Sequence, residues 1–207
     1  MKTTLAASAA ALATLLTAAA AQEAGVFYLE AGVGVAAPSE EDVSFSDQTG
    51  SFASFEADLE TGGQFHVLGG YELTPALAVE LELRAHGHTD EFSSDDETTV
   101  VGAYMVNLVY RGSEAAAFVP YVGAGIGIAE IDFVDDGDVL EDEFDDAFAY
   151  QVKAGVAKPF GIHHSLALEA AYLDASPFEA SSAVETVEFD YAGFSVGVNY
   201  RYRFGTR

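Results

Sequence analysis

Residues 163–165 of this 207-residue chain, His163-His164-Ser165, have the side chains of a hydrolytic nucleophile. A histidine that takes the proton of a serine hydroxyl lets the oxygen attack an ester or amide, provided that an acid orients the ring. The acid nearest to this tripeptide on the same segment is Glu169. The tripeptide lies in a short polar stretch between two apolar segments, so we expect a polar turn. His163 and Ser165 remain an alternative catalytic pair.

Residues 132–143 have part of a calcium-loop pattern. Acids occupy positions one, five, seven and twelve and a glycine occupies position six, but position three is Val134 and no helical pattern flanks the segment. We therefore expect a solvated acidic loop, with a looser Ca²⁺ or Mg²⁺ site as the alternative and no other cofactor. The candidate ligands are Asp132, Asp135, Asp136, Asp138 and Glu143.

Negative charge is concentrated in four segments of the chain. The formal charge is −26, from 34 acidic residues and eight basic ones, and 27 of the acids but none of the bases lie in the four segments. A chain without a basic patch is not expected to bind nucleic acid. The four segments are residues 37–62, 87–97, 130–146 and 174–190.

The first 21 residues differ in composition from the rest. Lys2 precedes an Ala/Leu run over residues 5–16, and Ala19-Ala20-Ala21 before Gln22 forms a small-residue cleavage site. This predicts a secretory signal peptide over residues 1–21 and a single mature domain over residues 22–207. No later segment contains the ~18–20 consecutive apolar residues of a membrane helix. A mature chain in a membrane would therefore cross it with strands.

Eight segments of strand length follow, and their connections alternate between long and short. The long connections contain the acidic segments, and this separation of loop lengths is typical of membrane-spanning antiparallel barrels. The sequence therefore predicts an all-β fold, an eight-stranded antiparallel up-and-down transmembrane β-barrel. The predicted strands are residues 25–36, 63–73, 77–86, 98–111, 118–129, 147–159, 165–173 and 191–204.

The apolar face of these strands is predicted to point outward. In the last strand Phe194, Val196 and Val198 alternate with small and polar residues, and only the fourth strand alternates poorly. Small residues suit the narrow lumen of eight strands better than a wet exterior, so the apolar face lies against lipid. A soluble up-and-down barrel in the periplasm is the alternative. Aromatic residues near the strand ends fit interfacial girdles: Tyr71, Tyr110, Tyr172, Tyr200, Tyr202 and Phe204.

Charged residues on the opposite face would then lie inside the barrel. Buried charges are tolerated only when they are paired. Closure of the barrel makes the last strand a neighbour of the first and the seventh, so Arg201 can reach Glu30 and Glu169. We favour a plug of ion pairs, with a gated or narrow ion-conducting lumen as the alternative. The predicted lumen network is Glu30, Glu72, Glu80, Glu82, Arg84, Lys153, Glu169, Arg201 and Arg203.

Three stretches resemble a known family: residues 68–75 (LGGYELTP), 77–81 (LAVEL) and 120–127 (PYVGAGIG). They are similar to the small bacterial outer-membrane β-barrel family, the OmpA-like and OmpX-like eight-stranded domains, and the resemblance covers the whole mature chain. It implies an outer-membrane location, contacts with outer-membrane lipids and lipopolysaccharide, and a monomer. The last strand resembles the signal that the barrel-assembly machinery recognises, which implies a role in assembly for Ser195, Gly197, Tyr200, Tyr202 and Phe204.

The function expected from these features is that of a non-enzymatic outer-membrane barrel, structural or surface-interacting, with acidic extracellular loops and a plugged lumen. Two alternatives remain open. Some outer-membrane barrels are lipid A deacylases with a histidine and a serine spaced as His163 and Ser165 are, and a narrow pore would use the same charged lumen.

Overall fold

The computed structural model of the chain describes residues 25–40, 42–47, 52–56, 59–89, 98–113, 116–135, 138–140, 145–181 and 185–205, and the predicted signal peptide lies outside them. Eleven strands occur in these residues. Among the same residues, no helix is long and apolar enough to cross a membrane. The strands are β1 (Phe27–Glu40), β2 (Asp42–Asp47), β3 (Phe52–Glu56), β4 (Gly62–Glu72), β5 (Leu77–Thr89), β6 (Thr98–Arg111), β7 (Val119–Asp135), β8 (Asp138–Leu140), β9 (Ala147–Phe160), β10 (His164–Ser181) and β11 (Glu185–Phe204).

Eight of these strands form a closed antiparallel ring in the order β1-β4-β5-β6-β7-β9-β10-β11. Pairing between β1 and β11 closes the ring, with Phe27 opposite Phe204 and Val33 opposite Val198. Closure leaves the ring without an unpaired edge, so its backbone donors and acceptors are satisfied inside a membrane. The predicted eight-stranded up-and-down barrel is therefore confirmed.

Three tight connections lie at one end of the ring, after β4, β6 and β9. The connection from β9 to β10 turns at Gly161, whose φ of 80° lies in the left-handed region that glycine adopts without steric cost. Both ends of the described barrel, Phe27 and Phe204, lie at this same end. Short turns face the periplasm in barrels of this kind, so we call it the periplasmic end.

At the opposite end the strands extend further than the sequence predicted. β7 continues to Asp135 instead of residue 129, β10 continues to Ser181 instead of residue 173, and β11 begins at Glu185 instead of residue 191. The acidic composition indicated loops, but polar side chains do not prevent backbone pairing between neighbouring strands. A register shift between Ala175 and Phe178 interrupts the pairing of β10 with β11 where Pro177, which has no backbone N–H, stands in the strand.

Short strands inside two predicted loops extend the sheet beyond the ring. β2 and β3 form a hairpin that pairs with the outer part of β11, from Glu185 opposite Asp47 to Phe189 opposite Val43. β8 returns along the end of β7, with Asp135 opposite Asp138. The acidic end of the molecule therefore contains paired strands, and the described part of it is not simply a set of loops.

The two faces of the ring differ sharply in exposure. Outward positions expose large apolar side chains, for example Ile126 (61%) and Leu168 (54%), whereas the inward Glu80 is only 1% exposed. An apolar exterior around a charged interior is the arrangement of a membrane-spanning barrel. The prediction that the apolar face points outward is confirmed.

The barrel interior contains two chemically different layers. The layer nearer the cell exterior is an apolar cluster in which Met105, Leu173 and Phe178 are buried. Leu59, from the segment before β4, packs into the same cluster. The poor alternation of the fourth predicted strand (β6) has its cause here, because its inward Val101 and Met105 are as apolar as its lipid-facing residues. The layer nearer the periplasm is charged.

Candidate functional site: the charged lumen

The charged layer is built from alternate residues of seven strands. On β5, Glu80, Glu82 and Arg84 occupy every second position and therefore share the inward face. β6 and β9 add Arg111 and Lys153, which are also buried. The remaining members come from β1, β4, β10 and β11: Glu30, Glu72, Glu169, Arg201 and Arg203.

Lys153 lies at the centre of the layer and pairs with two carboxylates at once. Its Nζ is 2.7 Å from Glu80 Oε2 and 2.8 Å from Glu82 Oε2. Asn107 Nδ2 and Gln151 Nε2 also donate to Glu82 Oε2, at 2.8 and 3.0 Å. Glu82 Oε2 therefore has three donors, and the Lys153 and Glu82 side chains are at most 1% exposed. The Glu82 carboxylate is fully hydrogen-bonded by protein groups, without water.

Arg84 connects this centre to the opposite wall of the barrel. Its Nε donates to Glu82 Oε1 at 2.7 Å, and its Nη2 donates to Glu169 Oε1 at 2.9 Å. Its Nη1 donates to Ser195 Oγ at 3.0 Å, and Tyr121 donates its hydroxyl proton to Glu169 Oε2 at 2.9 Å. The Arg84 guanidinium therefore links β5 to β10 and β11, which are not neighbours of β5 in the ring.

Arginines dominate the part nearest the periplasm. Arg201 Nε donates to Glu30 Oε2 at 2.6 Å, as the register of the closed barrel predicted. Glu169 pairs with Arg84, and the predicted contact between Arg201 and Glu169 is not found in the described structure, where Arg201 turns instead toward Glu80 at 3.6 Å. Glu72 Oε1 forms ion pairs with two arginines, 3.0 Å from Arg111 Nη1 and 3.0 Å from Arg203 Nη2.

A tyrosine fills the space between two of these arginines. The Arg111 and Arg201 guanidinium carbons each lie 4.4 Å from the centre of the Tyr28 ring. The Tyr28 hydroxyl donates to Glu80 Oε1 at 2.5 Å. Tyr28 faces Gly70 of β4, where an added Cβ would overlap the ring. Glycine at this position lets the ring lie against the barrel wall and pack tightly between the two cations.

The charges of this layer cancel. It contains five carboxylates and five cations, all joined by ion pairs of 4.0 Å or less. The excess negative charge of the chain, −26 in total, therefore lies outside the layer. All nine residues of the predicted lumen network are in the layer. Arg111, Tyr28, Tyr121, Asn107 and Gln151 are members that the sequence reasoning did not assign.

Three buried side chains, His86, His88 and Tyr191, form a hydrogen-bonded group, and Tyr191 also belongs to the apolar cluster. His88 Nδ1 lies 2.9 Å from the carbonyl oxygen of Glu60, so the proton is assigned to Nδ1. His88 Nε2 then accepts from the Tyr191 hydroxyl at 2.8 Å, and the Tyr191 oxygen accepts from His86 Nδ1 at 2.9 Å. This assignment keeps both imidazoles neutral and leaves His86 Nε2 without a partner among the described residues.

The candidate catalytic pair lies at the periplasmic mouth. His163 Nδ1 is 2.9 Å from the backbone oxygen of Arg203, and its ring stacks on Tyr202 at 5.7 Å between centroids. Ser165 is the second residue of β10, next to the turn, and lies on the inward face. In the described structure no hydrogen bond joins the two side chains, and the ring is oriented by a carbonyl oxygen and not by a carboxylate.

The candidate metal ligands are only partly described. Asp132 and Asp135 lie in β7, and Asp138 begins β8 opposite Asp135. Asp136 and Glu143 lie outside the described residues. Within the described part of the chain, no group of three or more His, Cys, Asp or Glu side chains could hold a metal ion. The segment predicted as an acidic loop is therefore partly a β-hairpin, and the cation site remains a prediction.

The residues of the predicted assembly signal occupy both faces of β11. Ser195 and Gly197 face the lumen, where Ser195 accepts from Arg84. Tyr200, Tyr202 and Phe204 belong to an aromatic group at the periplasmic end, in which His164 Nδ1 is 2.7 Å from the Tyr200 hydroxyl and Tyr202 contacts Phe204 edge-on at 4.9 Å. Their role in assembly stays a prediction.

A closed antiparallel ring with a lipid-facing apolar exterior and a self-neutralised charged interior defines a transmembrane β-barrel of the outer-membrane type. The chain matches the family described as outer membrane protein beta-barrel domain over residues 5–202, and it belongs to that family. This places the protein in the bacterial outer membrane.

Solved structures of the same fold are similar to this chain. Neisserial surface protein A (NspA) has 16% identity and a TM-score of 0.58, covering 88% of this chain and 100% of its own. Outer membrane protein OprG from Pseudomonas aeruginosa has 18% identity and a TM-score of 0.62, covering 88% and 97%. Outer membrane protein AlkL has 16% identity and a TM-score of 0.53, covering 87% and 90%. No curated protein sequence matches the chain significantly.

Proposed function

We propose that this protein is a non-enzymatic outer-membrane barrel with a closed lumen, which acts through its surfaces as a structural or surface-interacting protein. The observation that carries the proposal is the two-layered filling of the barrel. Lys153 bridges Glu80 and Glu82 at direct-contact distances across the charged layer. Beyond it, the buried Met105, Leu173 and Phe178 fill the interior toward the cell exterior. An ion crossing this barrel would have to break buried ion pairs and then enter an apolar region.

The two alternative functions have weaker support. A narrow pore needs a hydrated path, whereas the carboxylates of the charged layer are bonded directly to protein donors such as Lys153, Asn107 and Gln151. A lipid A deacylase needs a serine within hydrogen-bonding reach of its base. His163 instead bonds the backbone of Arg203, and it lies at the periplasmic end.

The surface role that we propose belongs to the outer end of the barrel. Paired strands extend there beyond the ring, and this end contains the described parts of the four segments that together hold 27 of the 34 acidic residues. Neisserial surface protein A, a structure of the same fold, is described as a surface protein. The partners that we propose are outer-membrane lipids and lipopolysaccharide, with Ca²⁺ or Mg²⁺ bridging acidic side chains to anionic headgroups, and the barrel-assembly machinery during biogenesis. We propose a monomer.

Expression of the protein in a porin-deficient bacterium tests this proposal in cells. We expect the uptake of small hydrophilic solutes to stay at the rate of cells that carry an empty vector, because the lumen offers no hydrated path. Cells that express a general porin at the same level provide the positive control. The acyl pattern of lipid A, measured by mass spectrometry, is expected to be the same with and without the protein. Faster uptake would support a pore instead, and a missing acyl chain would support the enzyme.

A further inference from the structure

A cavity opens at the periplasmic mouth of the barrel, below the charged layer. Its volume is about 290 Å³, and its polar lining consists mainly of groups that can donate hydrogen bonds. Among the described residues, no aspartate or glutamate lines it. This lining is unusual for a chain with 34 acidic and only eight basic residues. The lining residues that matter here are Arg111, Arg201, Arg203, His163, His164 and Ser165.

The carboxylates that neutralise these arginines lie deeper in the barrel. The side chain of Glu72 is 2% exposed and that of Glu80 is 1% exposed, whereas the side chain of Arg203, which pairs with Glu72, is 24% exposed. The acids therefore stand behind the guanidinium groups as seen from the cavity. An ion entering from the periplasm meets the cations first, so the mouth attracts anions although the layer as a whole is neutral.

A second observation concerns the hydrogen bonding of Arg111. Arg111 lines the cavity and is 4% exposed, and its Nε–H is buried without an acceptor in the part of the chain that the structure describes. The two Nη groups of the same guanidinium are bonded to Glu72 and Glu80. Buried N–H groups are nearly always hydrogen-bonded in folded proteins, so the Arg111 guanidinium keeps an unused donor although it is already paired with two carboxylates.

We propose that this periplasmic cavity is a binding site for a small oxyanion, of the carboxylate or phosphate class. The planar forks of Arg111, Arg201 and Arg203 suit the oxygens of either group. The Ser165 hydroxyl and the imidazoles of His163 and His164 provide further polar contacts on the same lining. In this site His163 and Ser165 have a binding role, which needs no hydrogen bond between them.

Isothermal titration calorimetry of the purified barrel in detergent tests the site, with inorganic phosphate and succinate as separate probes and chloride at equal ionic strength as the background. We expect saturable binding of one oxyanion per barrel. Stronger binding of phosphate or of succinate identifies which oxyanion class the site prefers. The absence of saturable binding for both probes would overturn the proposal.

Three variants locate the binding. Arg203→Gln removes the most exposed cation and is expected to weaken binding about tenfold or more, because a charge-assisted hydrogen bond is lost. Ser165→Asp places a carboxylate on the lining and should abolish binding. Lys158→Gln is the matched control, since it removes an exposed cation of β9 that does not line the cavity, and it should bind as the wild type does. An equal loss in all three variants would show non-specific attraction and overturn the site. If Arg203→Gln does not fold, Ser165→Asp decides alone.

Discussion

Replacing Lys153 with methionine is expected to lower the free energy of unfolding by about 3–5 kcal/mol, the range found when one member of a buried ion pair is removed. The ammonium group lies 2.7 Å from Glu80 and 2.8 Å from Glu82, and all three side chains are at most 1% exposed. Methionine retains much of the side-chain volume, so the loss measures charge more than packing. The only cations left beside Glu80 and Glu82 would be arginines, and the layer would have one cation fewer than it has carboxylates.

Urea unfolding in detergent measures this loss, with the folded fraction read from the altered migration of an unheated barrel on a denaturing gel. Lys158→Met is the matched control on the same strand. Lys158 is exposed, and its Nζ lies 5.6 Å from the centre of the Phe118 ring, so the expected change is at most about 0.5–1 kcal/mol. Adding Glu82→Gln to Lys153→Met should restore part of the stability, because it removes the uncompensated charge. Equal stability of the two single lysine variants would show that the charged layer does not stabilise the barrel.

Replacing Leu168 with arginine is expected to destabilise the barrel in a bilayer by about 2–4 kcal/mol, the cost of an arginine on the lipid-facing surface near the bilayer midplane. Leu168 is 54% exposed on the outer face of β10. It lies four residues from His164, which joins the periplasmic aromatic group, and four from Tyr172, whose ring packs on Phe194 at 4.7 Å near the opposite end of the span. The new charge would therefore sit near the middle of the apolar span.

Leu73→Arg is the matched control for this prediction. Leu73 is similarly exposed, at 51%, but it follows the end of β4 at the periplasmic turn, where an arginine reaches the headgroups and costs about 0–1 kcal/mol. The measurement is unfolding of both variants in lipid vesicles. Indistinguishable stabilities would contradict the assignment of this face to lipid. A barrel that stays folded and soluble without detergent would contradict it too.

The ring, its closure and its orientation could be predicted from the sequence because all three follow from the period-two pattern and the alternation of loop lengths. The contact of Arg201 with Glu30 was predictable for the same reason, since closure fixes the register of β11 against β1. The partner of Glu169 was not. Arg84 reaches it across the lumen, and such a contact depends on side-chain length and rotamer, which the register does not determine.

Arg111 was missed because the parity of β6 is hard to read. Its inward face includes Val101 and Met105 in the apolar layer and Asn107 and Arg111 in the charged layer, so neither face looks polar throughout. Counting back from Arg111 to Asn107 in steps of two would have identified the inward face. The sequence carried no signal for the apolar layer, because the same apolar residue types occur inside the barrel and against lipid.

The claim that this lumen is closed is tested most directly by the conductance of planar lipid bilayers containing the purified protein, with a general porin in identical bilayers as the positive control. The ion pairs of Lys153 with Glu80 and Glu82, and the apolar layer beyond them, predict no conductance steps above the bare bilayer in potassium chloride. Folding and insertion are verified independently in vesicles of the same lipid, from the gel migration of the unheated protein recovered from them. Reproducible steps of uniform size from protein that is folded and inserted would contradict a closed lumen and show that the barrel conducts.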